Sequence, residues 1–213
     1  MQQIHQVRAR PRARVVHWVT GGVEGNSRLT AAAAAILIVL LAVEGATVPF
    51  VRSLLSVHVF VGMLLLGPVA LKLAATGYRF ARYYTRNREY VEKGPPAPLM
   101  RLVVAPVLVA STLTLFGTGV GLIAFGSRAG TMLGLHKASF IVWVGAMSIH
   151  VLWYARRAAR EAFADLSRHR LGGAGLRASL LLGALAAGAV IAILTLPLAG
   201  SWAHWAALRF RDH

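Results

Sequence analysis

Five long apolar stretches constrain the fold of this 213-residue chain more than any other feature. Each has about 20 residues or more, which is long enough for an α-helix to cross roughly 30 Å of hydrocarbon. They cover Leu29–Val48, Leu54–Gly77, Leu99–Gly126, Thr131–Ala155 and Leu176–Leu198. Charged residues make up only 14% of the chain, against about one quarter in an average globular protein. The sequence therefore predicts an all-α, polytopic membrane helix bundle with little mass outside the bilayer.

Composition removes several classes of protein and site. A chain that is 57% hydrophobic is not of the disordered type, and a chain without cysteine has no disulfide framework. The same lack of cysteine excludes iron–sulfur clusters, thiolate zinc sites and cysteine nucleophiles. No dinucleotide-binding or phosphate-loop motif is present.

The basic residues predict the orientation of the bundle. Seventeen of the 23 lysines and arginines fall in the N-terminal segment and in the loops after the second and fourth stretches, all on one side of the membrane. The positive-inside rule then places the N-terminus in the cytoplasm and the C-terminus outside, in a cell inner (plasma) membrane. The net charge of +16 is explained by this asymmetry and by anionic lipid. Nucleic acid is not expected as a partner, because no reader motif accompanies the arginines.

This reading divides the chain into five parts. They are a basic cytoplasmic segment (1–28), a four-helix transmembrane bundle (29–155), a basic cytoplasmic loop (156–175), a fifth transmembrane helix (176–198) and an external interfacial tail (199–213). Pro68 and Pro106 are expected to bend the second and third helices, with neighbouring helices satisfying the freed carbonyls.

Histidines inside the predicted spans are the candidate functional residues, since ionisable groups are rare there. His58 and His136 each lie about five residues into a helix that starts on the outer side, roughly 7 Å below the boundary. Two imidazoles at one depth on two helices can clamp one flat cofactor, and haem iron is held in this way. Glu44 is the only carboxylate near that depth.

The spacing on the fourth helix predicts a second site. His150 follows His136 by 14 residues, so both face nearly the same way, about 21 Å apart along the axis. Two stacked haems fit this separation. Four possibilities are open for the second ligand of the inner haem, besides His150: His17, Lys72 (14 residues after His58), His169, or no ligand and no inner haem.

Other interpretations stay open at this stage. Each histidine alone is compatible with a hydrogen bond to a neighbouring helix, or with a zinc site, and small residues such as Gly62, Gly119 and Gly134 are ordinary packing positions. At the level of function, intramembrane histidines also serve non-redox transporters or channels, and a cofactor-free membrane anchor of a complex is the third class.

The histidine pattern resembles that of a known family. An arginine precedes a His-Trp pair (His17 and Trp18) before the first apolar stretch, a histidine lies near the outer end of the second, and two lie 14 residues apart on the fourth. This resembles the di-haem cytochrome b family, the membrane cytochrome b subunits of formate dehydrogenase and nickel–iron hydrogenase and their bacterial electron-transfer relatives. The resemblance covers roughly residues 14–155.

The resemblance implies a cofactor set and a function. It implies a four-helix haem-binding core in which His58 and His136 hold an outer haem b and His17 and His150 an inner one. Between His17 and the apolar run lie several glycines, and a helix broken there would leave His17 in a surface segment.

The expected function is electron transfer between a redox partner subunit and a quinone or another acceptor. The chain is then an electron-transfer subunit of an oxidoreductase complex rather than a stand-alone enzyme. The haem content, one or two per chain, and the direction of flow stay open.

Overall fold

The computed structural model describes residues 21–126, 130–164 and 172–209, with side chains over 21–126, 130–155 and 172–200. Across these residues the protein is helical and has no strand. The helices are α1 (Gly22–Thr47), α2 (Leu55–Tyr84), α3 (Arg88–Glu92), α4 (Ala105–Phe125), α5 (Met132–Ala164) and α6 (Ala174–Arg209). All but α3 are long and apolar enough to cross a membrane. The all-α class and the five predicted spans are confirmed.

Helix α1 begins seven residues earlier than the apolar run, at Gly22. Its N-cap is Gly21, whose φ of 72° lies in the left-handed region that glycine adopts without strain. Polar residues continue the helix because they find partners on neighbouring segments; the Asn26 side chain donates to the Ala75 carbonyl at 3.1 Å. Gly25 is therefore inside the helix, and a break between it and the apolar run does not occur.

The short helix α3 ties the loop after α2 to the start of α1. Lys93 Nζ, just after α3, donates to Ser27 Oγ at 2.8 Å and to Glu24 Oε2 at 3.2 Å. Tyr90 on α3 is buried. These contacts fix the end of the bundle that the charge distribution assigns to the cytoplasm.

Both predicted helix-bending prolines lie within helical segments. Pro106 is in the first turn of α4, directly after a π-helical segment, Met100–Val104. A π segment leaves room where a proline ring removes a regular helical hydrogen bond. Pro68 lies in the middle of α2, so the Leu64 carbonyl four residues earlier has no N–H to accept from at position 68.

The packing order places α2 and α5 across the bundle from each other. Within the described residues, the most extensive contacts join α2 to α6, α4 to α5 and α1 to α2, and α1 also contacts α5. The α2–α4 contact is slight, and α2 and α5 are not among the packed pairs. A small apolar core of Leu37, Val61 and Leu65 joins α1 to α2.

The fifth span, α6, docks on α2 through glycines. A Cβ on Gly67 would overlap the Ala184 carbonyl, and a Cβ on Gly188 would overlap the Leu64 carbonyl. Small residues allow this close approach of two backbones, and Cα–H groups can then face carbonyl oxygens. Ala192, one turn after Gly188, is fully buried. The backbone of Gly188 thus lies against the carbonyl that Pro68 leaves without its helical partner.

Candidate functional site

His58 lies in the first turn of α2, where the end of α1 passes beside it. Its Nδ1 is 2.8 Å from Thr47 Oγ1 and 3.0 Å from Glu44 Oε1. The Thr47 hydroxyl donates its own proton to the Glu44 main-chain carbonyl at 2.6 Å, so it can only accept from His58. These contacts fit a neutral ring that is protonated at Nδ1 and keeps a lone pair on Nε2.

The Glu44 carboxylate is held between the two helices. Its second oxygen, Oε2, is buried and has no hydrogen-bond partner among the described residues. Gly62, one turn after His58, faces the carboxylate, and a Cβ there would lie 3.3 Å from Oε1. The glycine next to His58 thus leaves space for Glu44 to reach the imidazole.

His136 lies in the first turn of α5 and leans against α4. Its Nδ1 is 3.1 Å from the Leu115 carbonyl oxygen and 3.1 Å from Thr118 Oγ1. A carbonyl only accepts, and the Thr118 hydroxyl donates at 2.7 Å to the Thr114 carbonyl. Nδ1 is again the protonated nitrogen. Gly119 makes room for the ring, because a Cβ there would be 3.3 Å from its Cε1.

His58 and His136 face the same region of the bundle. Their rings are half-buried and lie within electrostatic reach of each other, although α2 and α5 are not packed together. Among the described residues, no hydrogen bond or ion pair involves Nε2 of either ring. The structure thus presents two imidazoles that are oriented through Nδ1, from helices on opposite sides of the bundle.

His150 lies further along α5 and has Lys72 of α2 within electrostatic reach. Lys72 Nζ donates to the Thr30 carbonyl at 2.6 Å, and the His150 ring lies 5.0 Å from the Tyr154 ring, centroid to centroid. The equal 14-residue spacings on α2 and α5 thus bring Lys72 and His150 together. As an ammonium donor Lys72 has no lone pair for a metal. His17 and His169 lie outside the described residues.

Sequence reasoning identified the histidines but not what holds them. It noted Glu44 only as a carboxylate at the right depth, and it missed Thr47, Thr118 and the Leu115 carbonyl. Threonines are common inside apolar helices, so their presence did not indicate a contact with a histidine. Which threonine meets a histidine depends on the rotation of each helix about its axis, which helical spacing on one helix does not specify.

The described residues contain no group of three or more His, Cys, Asp or Glu side chains that could hold a metal ion. A protein zinc site takes three or four such ligands, so this part of the chain offers none. Two apolar grooves lie between spans, one of about 420 Å³ between α2 and α4 and one of about 360 Å³ between α4 and α5. Neither is lined by a histidine.

Comparison with known proteins adds no relative: no family model, curated protein or solved structure matches the chain.

Proposed function

We propose that the protein is an integral membrane b-type cytochrome, in which His58 and His136 would hold an outer haem. The observation that carries the proposal is the matched state of the two imidazoles. Each has its Nδ1 within hydrogen-bond distance of oxygen atoms on a neighbouring helix, and no hydrogen bond of the described residues involves its Nε2. Metal-ligating histidines are held in this way, with the second nitrogen hydrogen-bonded to a carboxylate or a carbonyl.

The donor set and its placement fit a haem better than a bare ion. His58 and His136 would supply two donors, the number that a b-type haem takes from the protein, whereas a structural or catalytic ion takes three or more. The two imidazoles come from α2 and α5, which lie across the bundle and are not packed together. Haem would supply a one-electron iron couple there. The chain would orient the ligands through their Nδ1 contacts, among apolar helices.

The inner haem site is proposed from the family resemblance, because only one of its two histidine ligands, His150, lies among the described residues. His150 would ligate a second haem, with His17 as the ligand that the di-haem cytochrome b family implies. Lys72, already donating to the Thr30 carbonyl, suits an anionic group such as a haem propionate better than iron. The two sites together would carry electrons between an external partner subunit and a quinone or another acceptor, in a plasma membrane with the N-terminus in the cytoplasm.

The test is the haem content of the purified chain, with its reduced-minus-oxidised absorption spectrum. We expect His58→Ala and His136→Ala each to lose the same haem, since one haem needs both ligands. Val57→Ala and Lys137→Ala are matched controls, because each alters an exposed neighbour of a proposed ligand. The controls should keep the wild-type content.

The measured haem content distinguishes a two-haem, a one-haem and a haem-free protein. Near two b-type haems per chain supports both sites, and near one that disappears in both histidine variants supports the outer site alone. No haem in the wild-type chain, purified from cells well supplied with haem, would overturn the proposal. Loss of haem in only one of the two variants would overturn the pairing of His58 with His136.

One observation favours a second candidate function. A carboxyl and an imidazole in contact within a membrane, as Glu44 and His58 are, can pass a proton between them. A non-redox proton-coupled transporter would use such a pair without any cofactor. A colourless, haem-free protein that acidifies proteoliposomes, and loses this activity in Glu44→Gln, would favour that function over the cytochrome.

A further inference from the structure

We propose that the C-terminal end of α2 binds the headgroup of an anionic phospholipid, through the neighbouring guanidinium groups of Arg79 and Arg82. The phosphodiester of the lipid would lie beside these two side chains, and its acyl chains would follow the apolar surface of the bundle. The proposal stands apart from the proposed function, because it needs no haem.

The two arginines lie at the depth of lipid headgroups. Lys72 Nζ of α2 donates to the Thr30 carbonyl of α1. Because the two helices are antiparallel, seven further residues along α2 bring Arg79 level with the first turn of α1. Three exposed aromatic residues follow the apolar part of α2 here: Tyr78, Phe80 and Tyr84. Aromatic side chains at the end of a span are typical of the membrane–water interface, where phospholipids carry their phosphates.

Arg79 and Arg82 are half-buried, unlike the two arginines that follow them in the chain. Arg86 and Arg88 are exposed, and Arg88 Nε is 2.7 Å from Glu92 Oε1. An excess of positive charge on a cytoplasmic loop needs only solvated side chains. Orientation in the membrane therefore accounts for the exposed arginines, but it does not explain why two others lie against the protein.

The pair carries positive charge that no carboxylate of the described residues neutralises. Arg79 and Arg82 are three positions apart, so they are neighbours on one face of α2, where like charges repel. Among the described residues no hydrogen bond or ion pair involves either side chain, and Arg82 Nε is buried without an acceptor. Glu24 on the adjacent α1 pairs with Lys93 instead. A phosphate oxygen fits this pair, because guanidinium groups bind phosphate through two parallel hydrogen bonds.

Tyr78 orients the guanidinium of Arg82. The Cζ atom of Arg82 lies 5.9 Å from the centroid of the Tyr78 ring, and this ring packs edge-on against the ring of Tyr90 at 6.1 Å, centroid to centroid. Tyr90 is buried on α3, so the loop helix supports the ring that carries the arginine. A guanidinium held over a ring still presents N–H groups at its edge. The cation is thus oriented before a phosphate arrives.

The experiment is native mass spectrometry of the detergent-purified chain titrated with phosphatidylglycerol, with phosphatidylcholine and inorganic phosphate as comparison ligands. We expect the wild-type chain to bind one phosphatidylglycerol more tightly than phosphatidylcholine. Arg79→Gln and Arg82→Gln should each weaken this binding about fivefold, and the double variant about 25-fold, from the usual contribution of a basic residue near anionic lipid.

Two kinds of control separate a defined site from general attraction to a basic surface. Arg88→Gln removes the same charge from the same region, but this arginine is exposed and paired with Glu92, so binding should change little. Tyr78→Leu keeps every charge and removes the ring beside Arg82, so it should weaken binding about threefold, whereas Tyr78→Phe should not. Thermal midpoints in phosphatidylcholine show that each variant is folded, and the single variants serve if the double variant is not.

Three results would overturn the proposal. The first is wild-type affinity for phosphatidylglycerol in the folded arginine variants, or no preference for this lipid in the wild-type chain. The second is an equal loss in Arg88→Gln and Arg82→Gln, which would show attraction to the whole basic surface instead of one site. The third is displacement of the lipid by an equal concentration of inorganic phosphate, which would identify a soluble phosphate compound as the ligand.

Discussion

At the scale of single residues, the half-buried indole of Trp143 on α5 offers a test of side-chain hydrogen bonding between spans. Trp143 Nε1 donates to Thr112 Oγ1 on α4 at 3.0 Å, and Thr112 is buried. Thr112→Val keeps the shape and removes the acceptor, so we expect the free energy of unfolding in detergent to fall by about 1 kcal/mol, a usual value for such bonds in membranes. Denaturant titration of the purified chain measures it.

A matched control for this variant lies on the same helix. Thr114 donates only to the Ala110 carbonyl of its own helix, so Thr114→Val should leave the stability nearly unchanged. Equal losses in the two variants would show that the bond between α4 and α5 contributes nothing of its own.

A second residue-scale prediction separates the two proposed haems. His150→Ala should remove one haem while the spectrum of the outer haem persists, because among the described residues no hydrogen bond or ring contact joins His58 or His136 to His150. Haem content and the difference spectrum measure this. The exposed neighbour gives the control, Ile149→Ala, which should retain both haems. A wild-type content in His150→Ala would assign this histidine a packing role.

At the candidate site, the sequence predicts the depth of the histidines but not the residues that contact them. The depths of His58 and His136 follow from counting along predicted helices, and the structure brings the two rings into reach of one another. Glu44 is different, because its contact with His58 depends on how α1 is rotated against α2. That rotation is set by the apolar residues that pack between the two helices, such as Leu37 and Leu65. The sequence does not indicate which residues these are, because nearly every position of the two helices is apolar.

At the scale of helices, the crossing of α2 and α6 predicts a sharp response to a single methyl group. Gly188→Ala would place its Cβ into the Leu64 carbonyl, and overpacking of this kind costs about 1–3 kcal/mol. We expect a lower thermal midpoint for the purified chain and weaker crosslinking between α2 and α6.

The control for this element is Gly183→Ala, on the same helix with nothing within 4 Å of the new Cβ. It should be neutral or slightly stabilising, because alanine favours helix over glycine by about 1 kcal/mol. Similar midpoints for the two alanine variants would contradict the assigned role of Gly188.

The ends of the helices were harder to predict from sequence than their existence. A run of about 20 apolar residues predicts a span whatever its neighbours do. The start of α1 is different: residues 22–28 are largely polar and read as a loop, yet they are helical. Their partners, Ala75 and Lys93, lie about 50 residues or more away in the chain, so local pattern did not reveal them.

At the scale of the whole molecule, the orientation in the membrane is open to a direct test. The chain has no cysteine, so a single introduced cysteine reports without background. Ser53→Cys, in the turn between α1 and α2, should react with a membrane-impermeant maleimide on intact cells. Pro96→Cys, in the loop after α3, should react only after the cells are permeabilised. The reverse pattern would overturn the orientation that the arginines and lysines predict.

The contact between Gly188 and the Leu64 carbonyl also bears on biosynthesis. The proline at position 68 leaves a backbone acceptor in the second span, and among the described residues it is the fifth span, synthesised after the other four, that lies against it. Until then that carbonyl must face lipid, translocation machinery or a passing water, since hydrocarbon offers it no donor. The order of synthesis thus leaves the second span without this contact until the fifth span is made, and a chain shortened before position 174 should be retained by quality control even though the helices that carry His58, His136 and His150 are present.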